Sequence, residues 1–363
     1  MKNTFGNSIS VTLFGESHGE AIGAVVDGLC PGIEIEKEFI EKKMSLRKAQ
    51  NSLSTARREK DEFKIISGVF NGKTTGTPLC ILIENGDTKS SDYEKSVGLL
   101  RPSHADYTAQ CKYHGFQDFR GGGHFSGRIT APLVAAGAVV MKMLEKKGIV
   151  IATHIKQMGQ IKDRDFDDFL CDAQKLSEEP FPVLDDGAKS RMVNLIAESA
   201  KQGDSVGGVL ESVVRGMPAG VGEPWFDTVE SQLAHIIFSV PAVKGVEFGA
   251  GFDFAKMSGS QANDAFVMKD GKVSTLTNNN GGINGGITNG EDIVFRCAVK
   301  PTPSIFKEQD TVDLKTLQNA KLSIKGRHDP AVIHRARVVI DSVTALCLAD
   351  LLAQRFGTDY FAE

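Results

Sequence analysis

Apolar and polar positions alternate first over residues 9 to 14, which predicts a short strand running into the turn Gly15-Glu16-Ser17-His18-Gly19. Ala21 to Val26 predicts a second strand, Cys30-Pro31-Gly32 breaks the chain, and Glu34 to Arg47 has the spacing of a charged amphipathic helix. Residues 51 to 60 are polar, lack periodicity and read as a mobile basic loop. Phe63 to Phe70 and Thr77 to Ile83 predict strands joined through the turn pair Asn71-Gly72. Further on, Gly207 to Gly216, Val243 to Phe248 and Ile293 to Val299 predict strands, Thr228 to Phe238 a helix, and Arg337 to Phe356 a C-terminal helix with a broad apolar face. Residues 160 to 205 are charged, helical in pattern and broken at Pro180-Phe181-Pro182, as expected of a peripheral insertion.

The stretch from Arg120 to Met141 stands apart. Three glycines precede an apolar, Ala-rich run that predicts a buried helix, with Thr130 as its cap, Pro132 in its first turn and Gly148 closing it. Glycines before a helix start let backbone N–H groups approach an anion. The loop is no P-loop, because Arg128-Ile129 stands where Lys-Ser/Thr should coordinate phosphate and magnesium. The plain alternative is a glycine turn with Arg120 and Arg128 in solvent. A second glycine-rich segment, 277 to 290, lies between apolar strands and reads as a ligand loop rather than a linker. Neither segment supplies the dinucleotide-binding G-x-G-x-x-G, and strands and helices do not alternate regularly. The order favours an α+β fold.

Composition narrows the class. The 363 residues are 41% hydrophobic, enough for a substantial core. A net charge of −4 lacks the basic footprint of a nucleic-acid protein. The longest apolar run, Ala131 to Met141, is short of a membrane span, so a cytoplasmic location is expected. Six cysteines without paired spacing read as reduced, mostly buried thiols, and no metal is expected, since Cys111-x-x-His114 supplies too few ligands.

Four groups of unlike chemistry fall in glycine-flanked turns: His18, His104, Arg128 with Ser126, and Arg327-His328-Asp329. Histidine serves as acid or base near neutral pH, arginines clamp phosphate or carboxylate, and a held aspartate takes a proton. Together they suit an anionic substrate undergoing proton-coupled elimination or transfer. His114, His154 and His235 are read as solvated or capping residues.

At these positions the sequence resembles a known family. Phe14-Gly15-Glu16-Ser17-His18-Gly19, Arg101-Pro102-x-His104-Ala105-Asp106-Tyr107, Gly121-Gly122-Gly123 with Ser126-x-Arg128, Ala242-Val-Lys-Gly-Val-Glu247, Gly281-Gly-Ile-x-Gly285-Gly286-Ile, Lys300-Pro301-Thr302 and Lys325-Gly326-Arg327-His328-Asp329-Pro330 follow the order of the chorismate synthases nearly end to end. The resemblance implies a lyase that converts 5-enolpyruvylshikimate 3-phosphate to chorismate and phosphate by 1,4-anti elimination. Phosphate leaves C3, a proton leaves C6, and reduced FMN lends an electron transiently. It further implies one domain over residues 1–363, a β-α-β sandwich with helices packed between antiparallel sheets, and a homotetramer.

Carried over to this chain, His18 protonates the departing phosphate, His104 sits by the flavin, and Asp329 assists proton removal by way of flavin N5. Ser17, Arg47, Ser126, Arg128 and Arg327 hold the substrate. FMN lies along His124, Phe125, Ser126, Pro241, Ala242, Gly285, Lys300, Pro301, Thr302, Pro303, Ser304 and Arg327. The chain departs from the family pattern at several points. His124-Phe125 replaces Arg-Ser, Pro241 replaces Asn, Asn279-Asn280 replaces His-Ala, and the early loop lacks a second arginine unless Arg57 or Arg58 takes its place. These departures motivate the alternative of a non-catalytic flavin- or anion-binding protein on the same scaffold. The resemblance leaves open whether NADPH reduces the flavin on this protein or an external flavin reductase supplies it.

Overall fold

In the computed structural model, described for residues 2–48, 61–86, 98–324 and 329–362, two five-stranded antiparallel sheets enclose a layer of helices. The first sheet contains β1 (Thr4–Phe5), β2 (Ser10–Gly15), β3 (Ala21–Asp27), β4 (Phe63–Ser67) and β5 (Leu79–Glu84), in the order β1-β2-β3-β5-β4. The second contains β6 (Val150–Met158), β7 (Ile161–Lys162), β8 (Gly208–Arg215), β9 (Val243–Phe248) and β10 (Ile293–Val299), in the order β9-β10-β8-β6-β7. Along β10 buried and half-buried residues alternate, as expected of a strand with one face on the core.

The helices of eight residues or more are α1 (Lys37–Arg47), α2 (Asp106–Tyr113), α3 (Thr130–Lys146), α4 (Phe169–Glu178), α5 (Asp186–Lys201), α6 (Val229–Ile237) and α7 (Ile333–Phe356). Helix α3 lies against β3 and β5 on one side and α7 on the other, while α7 packs on β6 and β8 of the second sheet. This places α3 and α7 back to back between the sheets. Their crossing is close: a Cβ on Gly137 would stand 2.4 Å from Cβ of Ser342, so a larger residue would force the helices apart. One hydrophobic cluster, including Ile22, Ile81, Val134, Leu210, Phe295 and Leu348, runs through all three layers. Buried Asp350 on α7 accepts the backbone N–H groups of Asn7, Ser8 and Ile9, with the Ser8 bond at 2.7 Å, and so anchors the chain just before β2.

The α+β sandwich agrees with expectation, and several boundaries differ for physical reasons. Thr130 begins α3 but does not cap it. Its hydroxyl donates to the Gly127 carbonyl at 2.6 Å, and Ser126 instead accepts the Arg128 N–H one turn earlier. The segment Phe63 to Phe70 splits at Gly68, whose φ is 86°, and Asn71-Gly72 joins Val69–Phe70 to Lys73–Thr74 in a small hairpin. The apolar run extends beyond Ala131 to Met141: Gly127–Lys146 is long and apolar enough to cross a bilayer, and its burial in the core accounts for that character. Of the six free cysteines, Cys30, Cys297 and Cys347 are buried, whereas Cys111 and Cys171 are exposed. Burial pushes the Cys297 thiol up to about 12, which leaves it unreactive. Helices α4 and α5 flank the turn at Pro182, whose carbonyl accepts the Ile155 N–H of β6, and α4 packs on that strand.

Candidate active site

The glycine loop is a series of tight turns with φ of 58°, 87° and 53° at Gly121, Gly122 and Gly123. Two histidines pack on it. A Cβ on Gly121 would stand 2.0 Å from Cε1 of His18, and one on Gly122 would stand 3.5 Å from Cε1 of His104. The first glycine therefore makes room for the His18 imidazole, whereas His104 lies at ordinary contact distance from the second. The turn that carries His18 is tied to the same loop: Ser17 N–H donates to the Gly123 carbonyl at 3.2 Å, and Ser17 Oγ meets His18 Nδ1 at 3.1 Å. His124 Nδ1 donates to the Gly15 carbonyl at 2.8 Å, which fixes its tautomer. Arg120 faces outward in a two-point pair with Asp118, at 2.9 and 2.8 Å, whereas Arg128 is buried. The solvent reading thus holds for one arginine and fails for the other.

His104 stands just before α2 within a small network. Its Nδ1 lies 2.8 Å from Asp106 Oδ1, and Arg101 donates to both Asp106 oxygens, Nε at 2.8 Å and Nη2 at 2.6 Å. Burial pushes the Asp106 carboxyl up, but the hydrogen bonds from Arg101 and His104 outweigh it and hold it well below the usual carboxylate range. The ionised Asp106 engages Nδ1, which Arg101 Nη2 also approaches at 3.0 Å, and leaves Nε2 of His104 for other contacts. Lys300 Nζ donates to the Ser103 carbonyl at 2.7 Å and ties the turn from Lys300 to Ser304 to this loop.

A charged array lies nearby. Asp61 binds Arg47 Nη2 at 2.6 Å through one oxygen and Arg128 Nη1 through the other. Arg128 also donates to Asn85 Oδ1 at 2.8 Å and to the Glu84 carbonyl at 3.3 Å. Arg335 on α7 donates to the Arg47 carbonyl at 2.7 Å and pairs with Asp329. The array therefore runs from Arg128 through Asp61, Arg47 and Arg335 to Asp329.

These groups meet in a cavity of about 1270 Å³. Arg47, Arg128, His104, Asp329, His124, Phe125 and Ser126 line it, together with Pro241, Ala242, Lys300, Thr302, Pro303 and Ser304. Ser17, His18, Pro301 and Gly285 are not lining residues. Ser17 and His18 sit against the glycine loop, and Gly285 turns the small hairpin between Ile283–Asn284 and Ile287–Thr288. Arg327, like Arg57 and Arg58, lies outside the described residues. Single-ligand pockets span roughly 300–1,000 Å³, so this one has room for a substrate beside a flat cofactor. Leu133, Ile236 and Val240 supply apolar wall, and among the described residues the buried Thr302 Oγ1 and Arg47 Nε have no hydrogen-bond partner, which suits a ligand that is both flat and polar.

Sequence reading did not single out Asp61, Asn85, Arg335 or His235, all but Asn85 of which line the cavity. His235, expected to be a solvated or capping residue, packs edge-on against Phe5 at 5.3 Å on the cavity wall. Asp61 sits in a run of charge that ordinarily marks a solvated face, yet it is buried, and Arg335 is half-buried between the buried His334 and Arg337.

Comparison with known proteins decides the family. A sequence model described as chorismate synthase matches residues 9–353. The chain belongs to the chorismate synthase family. It is 47% identical over 350 residues to the chorismate synthase of Thermococcus kodakarensis, covering 96% of this chain and 97% of that one. It is 46% identical over 352 residues to that of Lachnoclostridium phytofermentans, covering 96% and 95%. A solved structure described as the crystal structure of chorismate synthase superposes with a TM-score of 0.75 at 29% identity, covering 97% of this chain and 94% of that one. The chorismate synthase match thus spans both sheets, the glycine loop and α7.

Proposed function

We propose that the protein forms chorismate and phosphate from 5-enolpyruvylshikimate 3-phosphate by 1,4-anti elimination, with reduced FMN bound in the same cavity. The observation that carries this reading is the convergence on one cavity of His104, Asp329 and the Arg47–Arg128 pair, together with the turn from Lys300 to Ser304. When bound, reduced FMN supplies a transient electron and recovers it, so the reaction has no net redox change.

The residues divide the remaining work. Arg47 and Arg128, with Ser126 at the foot of α3, receive the substrate's anionic groups. His18, packed on the glycine next to the one that receives His104, gives a proton to the phosphate leaving C3. This role puts the phosphate at the loop edge of the cavity. His104 presents Nε2 to the flavin while Asp106 holds Nδ1. Asp329, kept in place by Arg335, assists removal of the C6 proton. Thr302, Pro303, Ser304, Pro241, Ala242, His124 and Phe125 hold the FMN, with apolar surface for the ring and Thr302 Oγ1 for a polar edge. Ser17, Pro301, Gly285 and Arg327 belong to the same proposal by resemblance.

The reading extends to a single-domain protein of the cytoplasm that assembles as a homotetramer, with NADPH or an external reductase keeping the flavin reduced. Trp225 and Phe226, 84% and 89% exposed, and the exposed Phe252 support burial of these faces against further copies. The test is stoichiometric: purified protein, substrate and reduced FMN must release phosphate and chorismate in equal amounts. Phosphate without chorismate would refute the reaction.

A further inference from the structure

The carboxylate of Asp61 is the unassigned group closest to the substrate arginines. Its side chain is 1% exposed, and each oxygen is taken by a different guanidinium. The residue itself stands at φ 49°, in the left-handed region that aspartate tolerates better than most side chains. The two arginines differ in how they are held. Arg128 is also anchored by Asn85 and the Glu84 carbonyl, whereas among the described residues Asp61 is the acid that Arg47 meets. Arg47 lines the cavity, and its Nε is buried without a partner among the described residues.

We propose that Asp61 is a positioning residue for substrate binding: its two oxygens hold Arg47 and Arg128 as a fixed pair on the cavity wall, where they meet an anionic group of the ligand. The proposal rests on the substrate assignment above. Two effects oppose each other at this site. The negative charge of Asp61 repels an anionic ligand, yet without it two neighbouring buried guanidiniums repel one another, and Arg47, the less anchored, is the one displaced. Near-complete burial of the carboxylate against the guanidiniums decides between them, because Asp61 is not where the ligand's own oxygens would sit. An amide at this position cannot replace the carboxylate. It accepts from one guanidinium and turns an N–H toward the other.

The test compares wild type with Asp61→Asn and Asp61→Glu in steady-state turnover, with FMN affinity and thermal stability measured alongside. Asp61→Asn should raise the substrate KM at least about tenfold, about 1.4 kcal/mol, with kcat within about threefold. FMN affinity should stay at the wild-type value, and Asp61→Glu, which keeps the charge but shifts it by one methylene, should fall between the two. A lower KM would mean that Asp61 competes with substrate and would overturn the proposal. So would an unchanged KM with reduced thermal stability, or a loss confined to kcat. If Asp61→Asn does not fold, Asp61→Glu carries the test, and a wild-type KM in that variant overturns it. If wild type itself does not turn over, the proposed reaction falls separately, and calorimetric binding of inorganic phosphate decides. Weaker binding by Asp61→Asn supports the positioning role, and equal binding, or none in either protein, rejects it.

Discussion

Gly121 and His18 divide one small volume between them: a Cβ on the glycine would stand 2.0 Å from Cε1 of the imidazole. Gly121→Ala therefore has two costs. A φ of 58° strains an L-residue by about 1–2 kcal/mol, and the added methyl drives the His18 ring from its place. With His18 as the acid for the departing phosphate, kcat should fall roughly 10²-fold, the scale of an ångström's misplacement, while FMN still binds. Steady-state kinetics with a flavin titration checks this. Wild-type kcat in a folded Gly121→Ala protein would remove His18 from the chemistry.

Asp106 holds His104 from outside the cavity lining, and among the described residues its hydrogen bonds are to Arg101 and His104. Asp106→Asn keeps the shape but removes the ionised acceptor at Nδ1. The expected result is a fall of roughly 10 to 100-fold in kcat with substrate KM within about twofold, read from pH–rate profiles of the two proteins. Superimposable profiles would show that the tautomer of His104 is held by other means.

How much of this could be read along the chain depends on where each signal resides. The strands Val243–Phe248 and Ile293–Val299 were legible residue for residue, because glycines or polar turns bound short apolar runs. Val150–Met158, the strand of the second sheet on which α7 packs, was not. It follows α3 after only Lys147-Gly148-Ile149, and its residues show no clean alternation because helices cover one face and α4 the other. The hairpin of Gln309–Asp313 with Gln318–Leu322 is mostly polar and gave no hydrophobic pattern to read. At the site, the glycine-flanked histidines and Asp329 were visible through ordered motifs. Asp61 and Arg335 were not, since pairing across distant segments decides their role: Asp61 meets Arg128 from 67 positions away, and Arg335 meets the carbonyl of Arg47 from 288.

A pH signature should arise far from the cavity. His154 is buried between Asp163 at 2.7 Å and Glu211 at 3.2 Å, with Lys156 and Arg296 also on Glu211. Burial alone pushes its pKa down, but the hydrogen bonds to Asp163 and Glu211 outweigh this and raise it. The folded protein therefore holds the proton more tightly than the unfolded chain. The stabilisation is complete below the unfolded value of about 6.5 and is lost as pH rises through the higher folded value. Denaturant unfolding across that range should show stability declining on the alkaline side. His154→Gln should flatten this limb and cost about 2 kcal/mol at pH 6, because each carboxylate loses one charged hydrogen-bond partner while Lys156, Arg296 and the Leu184 and Asp185 N–H groups remain. A limb of equal slope in the variant would assign the titration to another group.

Chorismate formation under anaerobic conditions, with photoreduced FMN and substrate in excess, tests the central claim most directly. The account predicts many turnovers per protein with phosphate released in step, and a second run with NADPH in place of light shows whether the protein reduces its own flavin. Flavin bound in the cavity with no chorismate formed would contradict the account and leave a binding protein on this scaffold.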